Sequence, residues 1–106
     1  MTGAGARDQR IAIQAPQVSR SAMGAEVITW VTTATVWGGI TTLSGRELYT
    51  AQQIVAEATK VITIAYRRGV RPKMRALLGA RVLDVLYVED PGERHEELRL
   101  LVKEMV

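Results

Sequence analysis

Cysteine is absent from the 106 residues of this chain, and so is phenylalanine. The lack of cysteine excludes disulfide bonds, cysteine-ligated zinc and thiol chemistry. Aromatic residues make up only 5% of the chain, so Val, Ile, Leu, Met and Ala must fill the interior. A chain of this length forms one domain with a modest core, because small domains bury a smaller share of their surface. We therefore expect neighbouring subunits to add to its stability.

The chain also has few groups suited to catalysis. Its single histidine, His95, lies in a charged turn, where a solvent-exposed role is favoured over metal binding. Asp84 lies in an apolar strand, where pairing with an arginine such as Arg81 is favoured over a role as general acid. Ser44 has no base near it in sequence, and Gly38-Gly39 is not followed by a phosphate-binding pattern. The sequence therefore predicts no enzyme, no cofactor and no metal ion.

A signal peptide and a membrane span are not expected either. The first ten residues contain no apolar segment. The uncharged run Val27–Leu43 is too short to cross a membrane comfortably and is rich in Thr, so a pair of strands is the better interpretation. We therefore expect no membrane partner.

Most of the chain alternates with period two and is rich in Val, Ile and Thr, which predicts strands. A short first strand, Arg10–Gln14, is expected to end at Pro16, with residues 17–25 as a loop. Further strands are expected at 26–31, 35–43, 61–67, 74–78 and 81–89, with a tight turn at Gly79-Ala80. Residues 98–103 favour a last strand over a competing short helix, and Gly38-Gly39 predicts a bulge or a close approach of another backbone. Residues 1–9 are expected to be a flexible arm and residues 10–106 a single domain.

Only the centre of the chain changes period. The apolar positions that recur there at three- and four-residue steps, as on one face of a helix, are Leu48, Ala51, Val55 and Ala58. Ser44 is placed to cap this helix, and Glu47 would complete a capping box. The sequence therefore predicts a mainly β domain, a small barrel or a sandwich, with one α-helix inserted between strands at about 44–58.

Charge is distributed unevenly, although the net charge is only +3. No acidic residue occurs between Glu57 and Asp84, whereas this segment includes Arg67, Arg68, Arg71, Lys73 and Arg75. Acidic residues collect afterwards, between Glu89 and Glu104. Exposed Arg and Lys neutralise phosphates without reading base sequence. Contact with an acidic partner or with a neighbouring subunit explains the cluster equally well.

An ordered set of short segments extends along nearly the whole chain, from about Arg10 to Met105. These segments are Arg10–Gln14, Trp30, Thr35–Trp37, Ser44–Glu47 with Ala51-Gln52, Ile62–Arg67, Gly69–Arg75, Gly79–Arg81, Asp84-Val85 and Leu98–Leu100. The set resembles the phage head–tail joining protein family, whose members are also called head–tail adaptors or head-closure (stopper) proteins. Ala65 departs from the family pattern, in which arginine often precedes the Tyr-Arg pair.

The resemblance implies a small β-barrel-like subunit that forms a ring in the neck of a phage or prophage particle. Its partners would be other copies of itself, the portal or adaptor ring on the head side and the tail terminator or tail tube on the tail side. Double-stranded DNA would pass through the lumen without sequence readout, and the basic cluster would contact this DNA or a neighbouring subunit. The inserted helix would narrow the channel, with its channel-side residues being Ser44, Arg46, Glu47, Gln52 and Gln53.

The same resemblance implies a location in the virion, with assembly in the host cytoplasm. An alternative that does not need a ring is a small β-barrel module that binds nucleic acid on its own through the basic hairpin at 67–81.

Overall fold

The computed structural model describes residues 9–105, in which six strands close into a barrel. The strands are β1 (Gln9–Arg20), β2 (Glu26–Thr42), β3 (Lys60–Ala65), β4 (Arg75–Leu78), β5 (Arg81–Glu89) and β6 (Glu97–Met105). Helix α1 (Gly45–Ile54) joins β2 to β3, and a 3-10 turn (Pro91–Glu93) joins β5 to β6. All pairs are antiparallel, in the order β1-β2-β3-β6-β5-β4, and β4 returns to β1. This confirms the prediction of a mainly β barrel with one inserted helix.

The interior of the barrel is aliphatic. Because successive side chains of a strand point to opposite faces, alternate residues of each strand point inward. The largest fully buried side chains are Ile11, Ile13, Ile62, Ile64, Leu83, Val85, Leu100 and Val102. No polar or charged residue is buried in the part of the chain that the structure describes. The core therefore forms without phenylalanine, as expected from the composition.

Gly38 lies where β2 packs most tightly against its neighbours. A Cβ atom at this position would lie 2.7 Å from Cδ1 of Ile11, 2.8 Å from Cγ2 of Ile64 and 3.0 Å from the carbonyl oxygen of Thr63. Such distances leave no space for a methyl group. Strand pairing is regular at Gly38 and Gly39, so the bulge is wrong; the close approach is found, but it is made by two core side chains as well as by the backbone of β3.

The first two strands are much longer than the sequence predicts. Pro16 does not end β1, and residues 17–20 are not a loop; β1 continues to Arg20 and pairs with β2 as far as Glu26. Pro16 is tolerated because β4 pairs with β1 only over Ala12–Gln14, so one side of Pro16 faces no strand that needs its missing N–H. The two strands expected at 26–31 and 35–43 are one continuous strand.

A bulge marks the point at which this long hairpin leaves the barrel. Ile13 pairs with Ala34 and Gln14 pairs with Thr32, so Thr33 is the extra residue. Its hydroxyl donates a hydrogen bond to the carbonyl oxygen of Ile13, at 3.3 Å. We call the part beyond the bulge, residues 15–31, the projecting hairpin.

Strand register places the connections at two ends of the barrel. The pairs Gln14↔Arg75 and Ala65↔Glu97 put the projecting hairpin, the β3–β4 loop and the β5–β6 turn at one end, which we call the hairpin end. The two-residue turn Gly79-Ala80 and the chain segments that connect α1 to β2 and β3 lie at the other end. The projecting hairpin gives the molecule one long dimension, 52 Å against 28 and 26 Å.

Helix α1 packs on the outside of the barrel. Val61 and Leu101 are cross-strand neighbours that face away from the interior, and they are buried beneath Ala51 of the helix. Leu43 and Ala58 complete this second cluster, with Leu48 and Val55 half-buried at its edge. All four predicted apolar residues therefore belong to this cluster, but only Leu48 and Ala51 lie on the helix, and Val55 and Ala58 follow it.

The ends of the helix differ from the prediction. The helix stops at Ile54 and not near residue 58, because Val55 already has extended backbone angles, φ −137° and ψ 114°. Ser44 occupies the N-cap position, but its side chain makes no capping hydrogen bond, so the expected capping box is wrong. Gly45, with φ +57°, gives the start of the helix an irregular first turn.

Residues 97–105 form a strand, which decides between the strand and the helix considered for this segment. The strand expected at 61–67 ends at Ala65, because the chain turns at Tyr66 to follow the β5–β6 connection. The predicted N-terminal arm, residues 1–9, lies outside the described residues except for Gln9, which begins β1.

Candidate functional site

The basic loop, residues 66–74 between β3 and β4, presents four exposed cations at the hairpin end. These are Arg67, Arg68, Arg71 and Lys73. No acidic side chain within residues 9–105 lies at ion-pair distance from any of them. Their charges are therefore available to an anionic partner.

The backbone of the basic loop is held firmly although its side chains are exposed. The N–H of Lys73 donates to the carbonyl oxygen of Val85, and the N–H of Val85 donates to that of Met74, both at 3.0 Å. Met74 is buried, and its sulfur accepts a hydrogen bond from the N–H of Arg71 at 3.2 Å. Lys73 has φ +75°, a strained value for a residue with a side chain. The second half of the loop therefore presents Arg71 and Lys73 on a hydrogen-bonded backbone.

A depression of about 470 Å³ separates the basic loop from the base of the projecting hairpin. Its floor is apolar and includes Ile13, Ala15 and Met74, while the four cations of the loop surround it. This combination suits an anionic chain or an acidic segment that also brings some apolar surface.

Arg75 belongs to the same predicted cluster but has a different environment. Its Nε donates a hydrogen bond to Oε1 of Gln14 at 2.7 Å, and its guanidinium lies over the ring of Trp30. The side chain is half-buried and fastens the projecting hairpin to β4. The proposed contact to DNA or a subunit is therefore better supported for the other four cations.

The acidic turn, residues 90–96, lies beside the basic loop. The N–H of Tyr66 donates to the carbonyl oxygen of Glu96 at 3.2 Å, and the Tyr66 ring stacks on that of His95 with centroids 4.4 Å apart. Asp90 accepts a hydrogen bond from the N–H of His95 and also lies 3.4 Å from Nε2 of its imidazole. The hairpin end of the barrel thus carries both charge signs on adjacent connections.

The residues predicted to face a channel lie away from the basic loop, on and just before α1 on the outer wall of the barrel. Ser44, Arg46, Glu47, Gln52 and Gln53 are all exposed. The side-chain amide of Gln52 donates to the carbonyl oxygen of Ala58 at 3.2 Å and stabilises the turn that follows the helix. The structure therefore does not bring the two predicted sets of residues together.

A groove of about 350 Å³ runs between α1 and strands β5 and β6. Leu43, Ala51 and Leu101 form its apolar floor, and Ile54 lies at its rim with 51% of its surface exposed. The charged residues that line it are Arg46, Glu47, Glu89 and Arg99. The periodicity of the helix predicts its buried face but not this groove.

Arg81 pairs with Glu104 and not with Asp84. Its Nε and one terminal nitrogen donate to the two carboxylate oxygens of Glu104 at 2.9 and 2.8 Å. These hydrogen bonds lower the pKa of Glu104 and raise the pKa of Arg81. Strand pairing places Arg81 opposite Leu78. Asp84 is half-buried, and its cross-strand neighbours are Arg75 and Lys103. The suggested pairing of Asp84 with Arg81 is therefore wrong.

No group of three or more His, Asp or Glu side chains within residues 9–105 is placed to hold a metal ion. No helix in this part of the chain has the length and apolar character needed to cross a membrane.

The projecting hairpin is an exposed surface that the strand and loop predictions do not include. Large hydrophobic side chains exposed on it are Val18, Met23, Val27, Ile28 and Val31. A usable signal was present, because the run Val27–Leu43 has no charge and Val18 lies in the segment interpreted as a loop.

Comparison with known families assigns this barrel to a class of virion proteins. A family model described as phage head completion protein matches residues 3–105. The chain therefore belongs to the phage head completion protein family. It is a structural head–tail protein of the virion, and this confirms the resemblance found in the sequence.

Two solved structures are similar to the chain. A protein from Shigella flexneri 2a, determined in solution, is 25% identical with a TM-score of 0.73, over 91% of this chain and 90% of that one. A chain in the virion of a native gene transfer agent particle is 17% identical with a TM-score of 0.64, over 93% and 96% of the two chains. The second similarity shows a shared fold. No curated protein matches the chain.

Proposed function

We propose that copies of this chain form a ring in the neck of a phage or prophage particle, which joins the DNA-filled head to the tail and closes the portal channel. The observation that carries the proposal is the match to the head completion family over residues 3–105. A portal or adaptor ring contacts one side of the ring, and a tail terminator or tail tube contacts the other. The ring assembles in the host cytoplasm and remains in the virion.

The charge of the basic loop supports the passage of DNA through such a ring. Arg67, Arg68, Arg71 and Lys73 are exposed, and the backbone of Arg71–Met74 is hydrogen-bonded in place. A channel must hold DNA without arresting it, so scattered contacts to phosphates suit it better than groups that read bases. A ring repeats these cations in every subunit, which concentrates a charge that is modest in one copy.

Helix α1 supports the proposal of a channel-side insertion. Its apolar side is packed on β3 and β6, and Gln52 and Gln53 are exposed on the helix outside the groove that Arg46 and Glu47 line. Because α1 packs on the outer wall of β3 and β6 whereas the basic loop lies at the hairpin end, the two would contribute to different parts of the channel.

Electron microscopy of particles from a phage or prophage that lacks this gene tests the proposal. We expect heads that lose their DNA or carry no tail, and normal particles when the gene is restored on a plasmid. DNA-filled heads with firmly attached tails in the absence of the gene would reject the proposed function.

The basic loop also supports the alternative of a nucleic-acid-binding module that acts alone. Binding of the purified protein to double-stranded DNA over a range of salt concentrations separates the two functions. An independent module gives tight binding with a steep negative slope of log affinity against log salt. A ring subunit gives feeble binding as a monomer, and a slope near zero leaves the alternative without support.

A further inference from the structure

We propose that the projecting hairpin is the docking arm between subunits, and that its outer face binds in the groove between α1 and strands β5 and β6 of a second copy of this chain. The inference rests on the ring proposed above and names the two surfaces that form its interface.

The outer face of the hairpin is apolar. Directly paired residues of two strands lie on the same face of the ribbon. Pro16 pairs with Trp30 and Val18 pairs with Ile28, on the face that also carries Gln14 and so points away from the barrel interior. Val18 is 58% exposed and Ile28 is 53% exposed. This face lacks charge between Arg75 at its base and the Arg20↔Glu26 pair near its tip.

The hairpin has no second layer of its own to cover this face. Beyond Gln14, β1 no longer pairs with β4, and before Gly38, β2 does not pair with β3. An isolated two-stranded ribbon is marginally stable in water and gains stability by packing on another surface. The exposed apolar side chains of the hairpin therefore indicate a surface that is covered in the assembled protein.

The groove beside α1 is complementary to the outer face of the hairpin in apolar character and in charge. Its floor of Leu43, Ala51 and Leu101 is apolar, and Ile54 extends the apolar area to its rim. Its margin carries Arg46 and Glu47, which have no ion-pair partner within residues 9–105. In the proposed contact, Arg20 near the hairpin tip would pair with Glu47 of the groove, and Glu26 would pair with Arg46.

The positions of the two surfaces require contact between different copies. In the order β1-β2-β3-β6-β5-β4, one strand separates β2 from β6 on one side, and one strand separates β5 from β1 on the other. The hairpin and the groove are therefore on opposite sides of the barrel and cannot meet within one chain. A contact between two different surfaces is head-to-tail, and repeated contacts of this kind form a ring when the rotation between neighbours closes.

Cysteine cross-linking tests this docking cleanly, because the natural chain contains no cysteine. A double variant carries Ile28→Cys on the hairpin and Ile54→Cys at the groove, both at exposed positions. The variant is supplied to the phage or prophage that lacks the gene, and purified particles are mildly oxidised. We expect a ladder of covalent multimers that stops at the number of chains in the ring.

Control variants define the other outcomes. Ile28→Cys combined with Tyr49→Cys, which lies on the far side of α1 from the groove, is expected to give no ladder. Dimers from Ile28→Cys alone would place two hairpins against each other and overturn the proposal. Particles that contain the double variant but yield no ladder would overturn it as well, including the case in which another virion protein covers the hairpin.

A failure of the proposed function gives a different experimental result from a failure of the docking proposal. Particles that are complete but contain none of this chain would reject the role in the neck. Docking between copies is then decided by oxidation of the concentrated, purified double variant, in which a ladder supports the proposal and its absence rejects it. The melting temperature of each variant, compared with the wild type, confirms that the protein is folded in every arm.

Discussion

The guanidinium carbon of Arg75 lies 4.3 Å from the centroid of the Trp30 ring. The two residues come from β4 and β2, and Arg75 is also hydrogen-bonded to Gln14 of β1. Three strands are thus joined at the point where the projecting hairpin leaves the barrel. A residue that the sequence groups with exposed cations therefore has a structural role at the base of the hairpin.

Arg75→Lys tests this role. Lysine keeps the charge but loses the planar group that stacks on the indole and donates through Nε. We expect a loss of about 1 kcal/mol in the free energy of unfolding, since a partly exposed cation–π contact contributes about 0.5–1 kcal/mol. Denaturant titration measures this loss, and faster hydrogen exchange at residues 15–31 would show that the hairpin is loosened. Arg71→Lys in the exposed loop is the control and is expected to change neither quantity.

Particular residues show how far the sequence predicts this structure. Period-two alternation locates most strands because inward and outward positions differ in polarity, and the helical period locates the buried face of α1. This rule fails for the projecting hairpin. Both of its faces are largely exposed, so inward and outward positions do not differ in polarity. Pro16 in the sequence predicts a strand end, and only the end of the β4 pairing at Gln14 explains why the strand continues.

The candidate site was predictable in charge but not in arrangement. The clustering of basic residues before Asp84 indicates a basic surface, and the four exposed cations of the loop form one. Sequence spacing cannot distinguish Arg75 from them, because its partners Gln14 and Trp30 are far away along the chain. The groove beside α1 was unpredictable for the same reason, as β5 and β6 supply one of its walls.

Gly38→Ala tests the tight packing of β2. The added methyl group would lie 2.7 Å from Cδ1 of Ile11 and 3.0 Å from a backbone oxygen that cannot move away freely. We expect a loss of about 1–3 kcal/mol, as is typical for overpacking a core. The double variant with Ile11→Val removes the closest atom, so its destabilisation is expected to be smaller than the sum of the two single losses. Full additivity in denaturant titrations would contradict this account.

Leu48→Asp tests the packing of α1 on the barrel. Leu48 is half-buried at the edge of the cluster formed by Ala51, Val61 and Leu101, and an aspartate there places a charge against apolar surface. We expect a loss of about 2 kcal/mol, whereas Tyr49→Asp, at a position 67% exposed, stays within about 0.5 kcal/mol of the wild type. Equal melting temperatures for the two variants would show that α1 does not pack as described.

Glu104→Gln tests the contribution of the ion pair with Arg81 to acid stability. The hydrogen bonds from Arg81 lower the pKa of Glu104 below its ordinary value of 4.5. The carboxylate therefore stabilises the fold above pH 4.5, and this contribution is lost as the pH falls through the folded pKa. We expect the wild type to melt slightly higher than the variant at pH 7, and the difference to shrink towards pH 3. A difference that stays constant over this range would exclude the ion pair as its cause.

Arg68→Glu and Arg71→Glu test the basic loop in the assembled particle. Each change replaces an exposed cation by an anion, so it repels phosphate without disturbing the core. We expect fewer DNA-filled particles from each variant, with an unchanged melting temperature, whereas Arg94→Glu in the acidic turn applies the same charge change and has little effect. Heads that keep the variant chain but lose DNA would indicate contact with the genome, and heads that lack the chain would indicate contact between subunits. A wild-type yield of filled particles for both variants would show that the basic loop serves neither purpose.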